Sequence, residues 1–214
     1  MKTEIKTAII CGIIITVGII SISIFYNEVD MKRNTTYNIE IEDKSKLQKV
    51  PSMLDATGYI NTASNELAET LEGKVVLYDI WTYSCINCIR TLPYITTWDE
   101  KYGNEGLMIV GIHTPEFEFE KNKDNVLAAV EKFGINYPVV LDNEKEIWNE
   151  FQNKYWPRKY IADHDGYIRY DRIGEGAYKE TEKVIQQLLQ ERSESLNLKT
   201  STFELTTLSE FEHS

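Results

Sequence analysis

Val75-Val76-Leu77-Tyr78-Asp79-Ile80-Trp81-Thr82-Tyr83-Ser84-Cys85-Ile86-Asn87-Cys88 is the stretch on which the reading of this chain turns. An apolar run of strand length passes through a short link to two cysteines separated by two residues. Where a buried strand gives way to a helix, such a pair is a dithiol at a helix N-terminus. Unpaired backbone N–H groups and the helix dipole favour a thiolate there. A thiolate is the species that attacks a disulfide, and a second cysteine one turn later can release the mixed disulfide that results. The stretch therefore predicts thiol-disulfide exchange chemistry.

The remaining residues bound that expectation. The chain has 214 residues, enough for one domain of ordinary size plus extensions. Its formal net charge of -11 argues against a nucleic-acid partner, which needs a basic face. The three cysteines, Cys11, Cys85 and Cys88, cannot supply a disulfide framework, so folding must rest on an apolar core. Zinc needs four ligands, yet no second cysteine pair is present and His113, His164 and His213 are scattered. No bound cofactor or metal is expected.

The N-terminus carries the second signal. Residues 7–26 are uncharged and rich in Ile, about the length needed to span a bilayer as a helix. Lys2 and Lys6 precede them, which predicts a cytoplasmic stretch at 1–6, a single-pass anchor at 7–26 and an extracytoplasmic remainder at the cell membrane. A cleaved signal peptide is the alternative, with Ser21 and Ser23 as a small-x-small pair. Ile24-Phe25-Tyr26, however, carry the apolar run past it. Cys11 is then a membrane-buried small apolar residue. Export suits the chemistry, because disulfides persist outside the cytoplasm. Residues 27–50 are polar and mixed in charge, as in a tether; 51–192 form the folded domain; 193–214, rich in Ser, Thr and Glu, form a mobile tail.

Within the domain, Gly58–Asn61 predicts a short strand or hairpin, and Leu67, Leu71 and Gly73 a brief helical turn. Lys74–Trp81 predicts a strand, and the helix after Cys85 should run to about Tyr102. Leu107–Ile112 is a continuous apolar run, as for a strand buried on both faces. A helix follows over about Asn122–Phe133, then a short strand at Pro138–Leu141 and another helix around Ile147, Trp148 and Phe151. Lys159–Ala162 and Tyr167–Ile173 flank the turn Asp163-His164-Asp165-Gly166, a hairpin signal. Val184, Ile185, Leu188 and Leu189 share one face of a closing helix. Strands alternating with helices, then a hairpin and a helix, describe an α/β sandwich with a mixed sheet.

The strand Val76–Trp81 followed by Cys85-Ile86-Asn87-Cys88 resembles the thioredoxin superfamily. Pro93 sits where thioredoxins kink the active-site helix, and Trp156-Pro157 where they place a cis-proline against the dithiol. More narrowly, Trp81-Thr82-Tyr83-Ser84-Cys85-Ile86-Asn87-Cys88-Ile89-Arg90 and Gly111-Ile112-His113-Thr114-Pro115-Glu116-Phe117 resemble the TlpA-like branch. Within it they are similar to the thioredoxin domains of DipZ-type proteins. Tyr155-Trp156-Pro157 and Gly174-Glu175-Gly176 agree with that group, and the resemblance covers about residues 50–192. It implies a thioredoxin-like α/β/α sandwich with a mixed central sheet, here preceded by one transmembrane helix. In that group the domain accompanies a CcdA-like membrane electron carrier. None precedes it here, so a separate CcdA-like protein would have to bring electrons from the membrane.

Carried over residue by residue, the resemblance implies Cys85 as nucleophile, Cys88 as resolving thiol one turn deeper, and Asp79 as a buried acid accepting the Cys88 proton. It implies that Trp81 and Trp156 flank the dithiol as an apolar rim for docking partners. Pro157 would leave the backbone of Trp156 open to an extended substrate strand. Family relatives with a single anchor often act as reductants, for example in cytochrome c maturation, which favours reduction of protein disulfides over the reverse oxidation. Two other functions compete. Thr82-Tyr83-Ser84-Cys85 copies the Thr-x-x-Cys of peroxiredoxins, but Tyr78 stands where those enzymes carry a proline, and Cys88 is too close for their usual resolving arrangement. A membrane-tethered adaptor without redox activity is the other. Glu116, Glu118 and Glu120 alternate with Phe117 and Phe119, predicting a solvated loop or edge strand with one apolar face, or else an acidic lip that selects partners.

Overall fold

The computed structural model describes residues 44–53 and 56–199. The predicted anchor at 7–26, most of the tether and the tail from residue 200 lie outside the described residues, and among those described no helix is long and apolar enough to cross a membrane.

Among the described residues six strands form one sheet: β1 (Gly58–Ile60), β2 (Val75–Trp81), β3 (Leu107–His113), β4 (Val139–Leu141), β5 (Arg158–Ala162) and β6 (Ile168–Ile173). Their order is β1-β4-β3-β2-β5-β6. The middle strands β4, β3 and β2 run parallel, while β1, β5 and β6 pair antiparallel with their neighbours. The sheet is therefore mixed, with β2 at its centre. All seven residues of β2 are buried, which explains its unbroken apolar character: both of its faces are covered, so no polar alternation is required.

The helices are α1 (Ser64–Leu71), α2 (Ile86–Tyr102), α3 (Lys123–Lys132), α4 (Glu146–Glu150) and α5 (Tyr178–Ser195). One face of the sheet offers Val76, Tyr78 and Ile80 of β2 and Val110 and Ile112 of β3 to a core completed by Leu67, Ile147, Trp148 and Phe151. Residues of the other parity, Leu77, Asp79 and Trp81, point to the opposite face. There α5 packs on β2 and α2 on β3, and α5 buries Val184, Ile185, Leu188 and Leu189. Each predicted element is present to within a few residues. The described residues include 44–50 of the expected tether and 193–199 of the expected tail. Residues 44–50 are held to the hairpin by an antiparallel bridge between Lys49 and Tyr167, by Val50 N–H donating to Gly166 O, and by Lys44 paired with Asp163 at 3.2 Å. At the other end α5 continues through Ser195.

Candidate dithiol site

β2 delivers the site. Its buried run ends at Trp81, the chain turns through Thr82–Ser84 with Cys85 N–H donating to Thr82 O at 3.3 Å, and α2 begins. Cys85 is the N-cap, in extended backbone (φ -74, ψ 114), and so precedes the first helical residue. It is partly exposed, whereas Cys88, one turn in, is fully buried; both are thiols. The Cys85 thiol is pulled down to about 6 by the hydrogen bond from Cys88. The backbone N–H groups of Cys88 and Asn87 help, against the opposing effects of partial burial and the nearby Glu116 charge. Burial pushes the Cys88 thiol far up, reinforced by its donation to Cys85 and by the charges of Cys85 and Asp79. Burial and hydrogen bonding thus favour one member of the pair as thiolate and the other as its proton-bearing neighbour. Pro93 lies inside α2, as the resemblance implied.

Asp79 is fully buried, and among the described residues neither of its oxygens has a hydrogen-bond partner. Burial lifts its carboxyl to about 6, against the lowering pull of Lys159. Lys159 is its antiparallel partner on β5 and is itself fully buried, with its pKa lowered by burial. Its Nζ donates to Gly174 O at 3.4 Å. An apolar strand thus carries one acid facing one base across a strand pair, beneath the dithiol. Tyr137 is also buried, and the Asp79 charge contributes to raising its pKa.

The Trp156–Pro157 bond is cis. Pro157 O accepts from Gly174 N–H at 2.8 Å, which joins this loop to the Gly174-Glu175-Gly176 turn. Trp156 is partly buried: its Nε1 donates to Thr114 O at 3.0 Å and its ring lies 4.1 Å from that of Trp148. Trp81 departs from expectation. It is fully buried, edge-on to His113 at 5.3 Å, in space left free by Gly111, where a Cβ would lie 3.1 Å from the indole nitrogen. It underlies the site and offers no rim to a docking partner, because a residue at the end of a doubly covered strand has no route to solvent.

The acidic-aromatic segment departs further. Phe117 and Phe119 are exposed, with rings stacked 5.6 Å apart, while Glu120 is fully buried in a 3-10 turn over Glu118–Lys121. Its carboxylate accepts from Ser84 Oγ at 2.5 Å and from the N–H groups of Glu116 and Phe117 at 2.6 and 2.9 Å. Burial pushes this carboxyl up, but those hydrogen bonds outweigh it and hold it below the usual range. Glu116 and Glu118 are exposed, as a solvated loop requires; Glu120 is the exception, drawn inside by hydrogen bonding of its carboxylate to unpaired amides. His113 and Lys159 are the residues near the site that sequence reasoning did not assign, and Glu120 was read only as part of a surface segment. His113 is buried with its pKa lowered to about 4 by that burial, and stacks on Tyr83 at 5.7 Å. Only the quoted family words, which include His113, pointed that way.

Comparison with known proteins finds relatives over the same folded residues. The family model described as Redoxin matches residues 46–189. Protein DipZ of Mycobacterium tuberculosis is 41% identical over 150 residues, covering 69% of this chain and 22% of that protein. The chain thus spans about a fifth of that relative's length. Thiol-disulfide oxidoreductase YkuV of Bacillus subtilis is 26% identical over 145 residues, covering 67% of this chain and 96% of its own. A solved thiol-disulfide isomerase from Corynebacterium glutamicum superposes with a TM-score of 0.61 at 20% identity, over 68% of this chain and 97% of that one.

Proposed function

The chain belongs to the Redoxin family; on that premise we propose that it is a thiol-disulfide oxidoreductase of the thioredoxin type, that Cys85 and Cys88 are its reacting pair and that it reduces protein disulfides from a membrane anchor on the extracytoplasmic side. The observation that carries the reading is the asymmetry of the pair, one thiol partly exposed and depressed at a helix N-cap, the other buried and raised.

In the first step the Cys85 thiolate attacks one sulfur of a substrate cystine R–S–S–R′. A bond forms between Cys85 and R–S, and R′S⁻ leaves to take a proton from solvent. Cys88 then loses its proton toward the Asp79 carboxylate and attacks the Cys85 sulfur. The Cys85–Cys88 disulfide forms, RS⁻ leaves and is protonated in turn. Two electrons have passed from the enzyme dithiol to the substrate, and the reverse sequence oxidises a dithiol. With a carboxyl pKa of about 6, Asp79 is mostly ionised at neutral pH and able to accept that proton.

The reducing direction and a role in processes such as cytochrome c maturation are supported by the resemblance to single-anchor TlpA-like relatives, and a CcdA-like membrane donor that restores the dithiol by the resemblance to DipZ-type domains. The uncharged stretch at 7–26 supports the anchor. The test uses the full chain. Cys88→Ser should accumulate a mixed disulfide through Cys85 with a disulfide-bonded protein such as insulin, released by dithiothreitol, and Cys85→Ser should form none. Turnover surviving in Cys85→Ser would sink the assignment. Acid-quenched thiol labelling of intact cells then reads the direction: a mostly reduced pair supports a supplied reductase, a mostly oxidised one a disulfide donor.

A further inference from the structure

The exposed rings of Phe117 and Phe119 lie on the loop that touches the strand-to-helix link before Cys85. Tyr83 hydroxyl donates to Phe119 O at 3.3 Å, and the Tyr83 and Phe119 rings meet edge to face at 6.2 Å. Ser84, next to Cys85, is hydrogen-bonded to the buried Glu120 of the same loop. Glu116 is near enough for its charge to oppose the Cys85 thiolate. The loop is therefore packed against the two residues that precede Cys85. Ile86, between the cysteines, and Tyr155, before the cis-proline loop, are also exposed apolar residues.

A segment of alternating Glu and Phe would ordinarily turn its rings inward. Here the loop turns one carboxylate inward, gives it three donors, and holds both rings in solvent. Two large aromatic side chains left uncovered beside a reactive thiol mark an interaction site rather than scattered surface residues.

We propose that Phe117 and Phe119 form an aromatic ledge that seats a bulky apolar side chain of the substrate polypeptide next to the cystine attacked by Cys85. The inference rests on the dithiol reading above and names its substrate class: protein or peptide disulfides with a large aliphatic or aromatic neighbour and no acidic one. Charge argues the second half. Glu116 and Glu118 accompany the rings, and the chain is acidic overall, so an acidic segment is repelled. The same charge disfavours small anionic disulfides and anionic lipid surfaces.

The experiment compares two cystine-bridged peptides that differ only in a Leu or a Ser beside the reacting cysteine, using the reduced full chain and reading kcat/KM. The Leu peptide should be preferred about tenfold, the scale of one apolar pocket contact. The ratio should fall toward one in Phe117→Ser/Phe119→Ser and survive in Phe117→Leu/Phe119→Leu, which keeps apolar bulk. Exchange that proceeds with no preference in the wild-type chain, or with a preference untouched by the serine pair, overturns the ledge and leaves the dithiol reading standing. No exchange with either peptide overturns both. Self-association of the wild-type chain that disappears in the serine pair makes the occupant a second copy and also overturns the substrate assignment.

Discussion

A thiol with a pKa of about 6 is roughly nine-tenths thiolate at pH 7. That is near the optimum for an attacking sulfur, because a much lower pKa would sacrifice nucleophilicity. Alkylation of Cys85 by iodoacetamide should therefore rise with pH through a midpoint near 6; a midpoint above 8 would mean that the Cys88 donor and the N-cap amides do not act on it. Asp79 is balanced differently. Burial raises it and Lys159 lowers it, so the two effects separate by mutation. Asp79→Asn should slow multiple turnover about 100-fold, the scale of lost general-base catalysis, with Cys85 alkylation still titrating. Lys159→Met removes the charge that favours the carboxylate, so the Asp79 pKa rises further and less base is present at pH 7. Turnover should then fall severalfold at pH 7 and recover as pH increases. A pH-independent loss would show that Lys159 serves only packing. The linkage to stability runs the opposite way with pH: a carboxyl raised from its unfolded value of 3.8 favours folding at low pH, and that contribution is lost as pH rises through about 6.

The register of the central strands decides what surrounds that acid. β2 pairs Asp79 with Gly111 of β3 on one side and Lys159 of β5 on the other. Gly111 has the shape the register demands: a Cβ there would meet Trp81 at 3.1 Å and Tyr137 and Val139 at 3.3 Å. Gly111→Ala should cost about 1–3 kcal/mol through overpacking of a buried strand, read as a lower urea midpoint; an unchanged midpoint would mean that Trp81 and Tyr137 move aside freely. The strands themselves were legible because β2 and β3 are apolar runs of strand length bounded by turn residues. Their alignment was not, since register depends on which chain segments meet rather than on the content of either. Glu120 was misplaced for a related reason. Alternation registers apolar side chains, but it carries no information on whether unpaired amides and a serine hydroxyl converge on one carboxylate.

For the whole molecule, the acidic domain and the uncharged stretch at 7–26 pull toward different phases. The full chain should sediment with membranes and resist alkaline carbonate extraction, whereas release into the carbonate supernatant would sink the anchor. The sequence by itself determined the order of strands and helices, the dithiol at a strand-to-helix junction and the lack of a disulfide framework, because these follow from local periodicity, turn residues and cysteine spacing. Tertiary structure alone decided that Lys159 faces Asp79, that Trp81 lies beneath the site instead of at its rim, and that Phe117 and Phe119 stand in solvent while Glu120 is buried. Each depends on which groups far apart in the chain share one dry space, where desolvation and hydrogen bonding outweigh the local preference of any single segment.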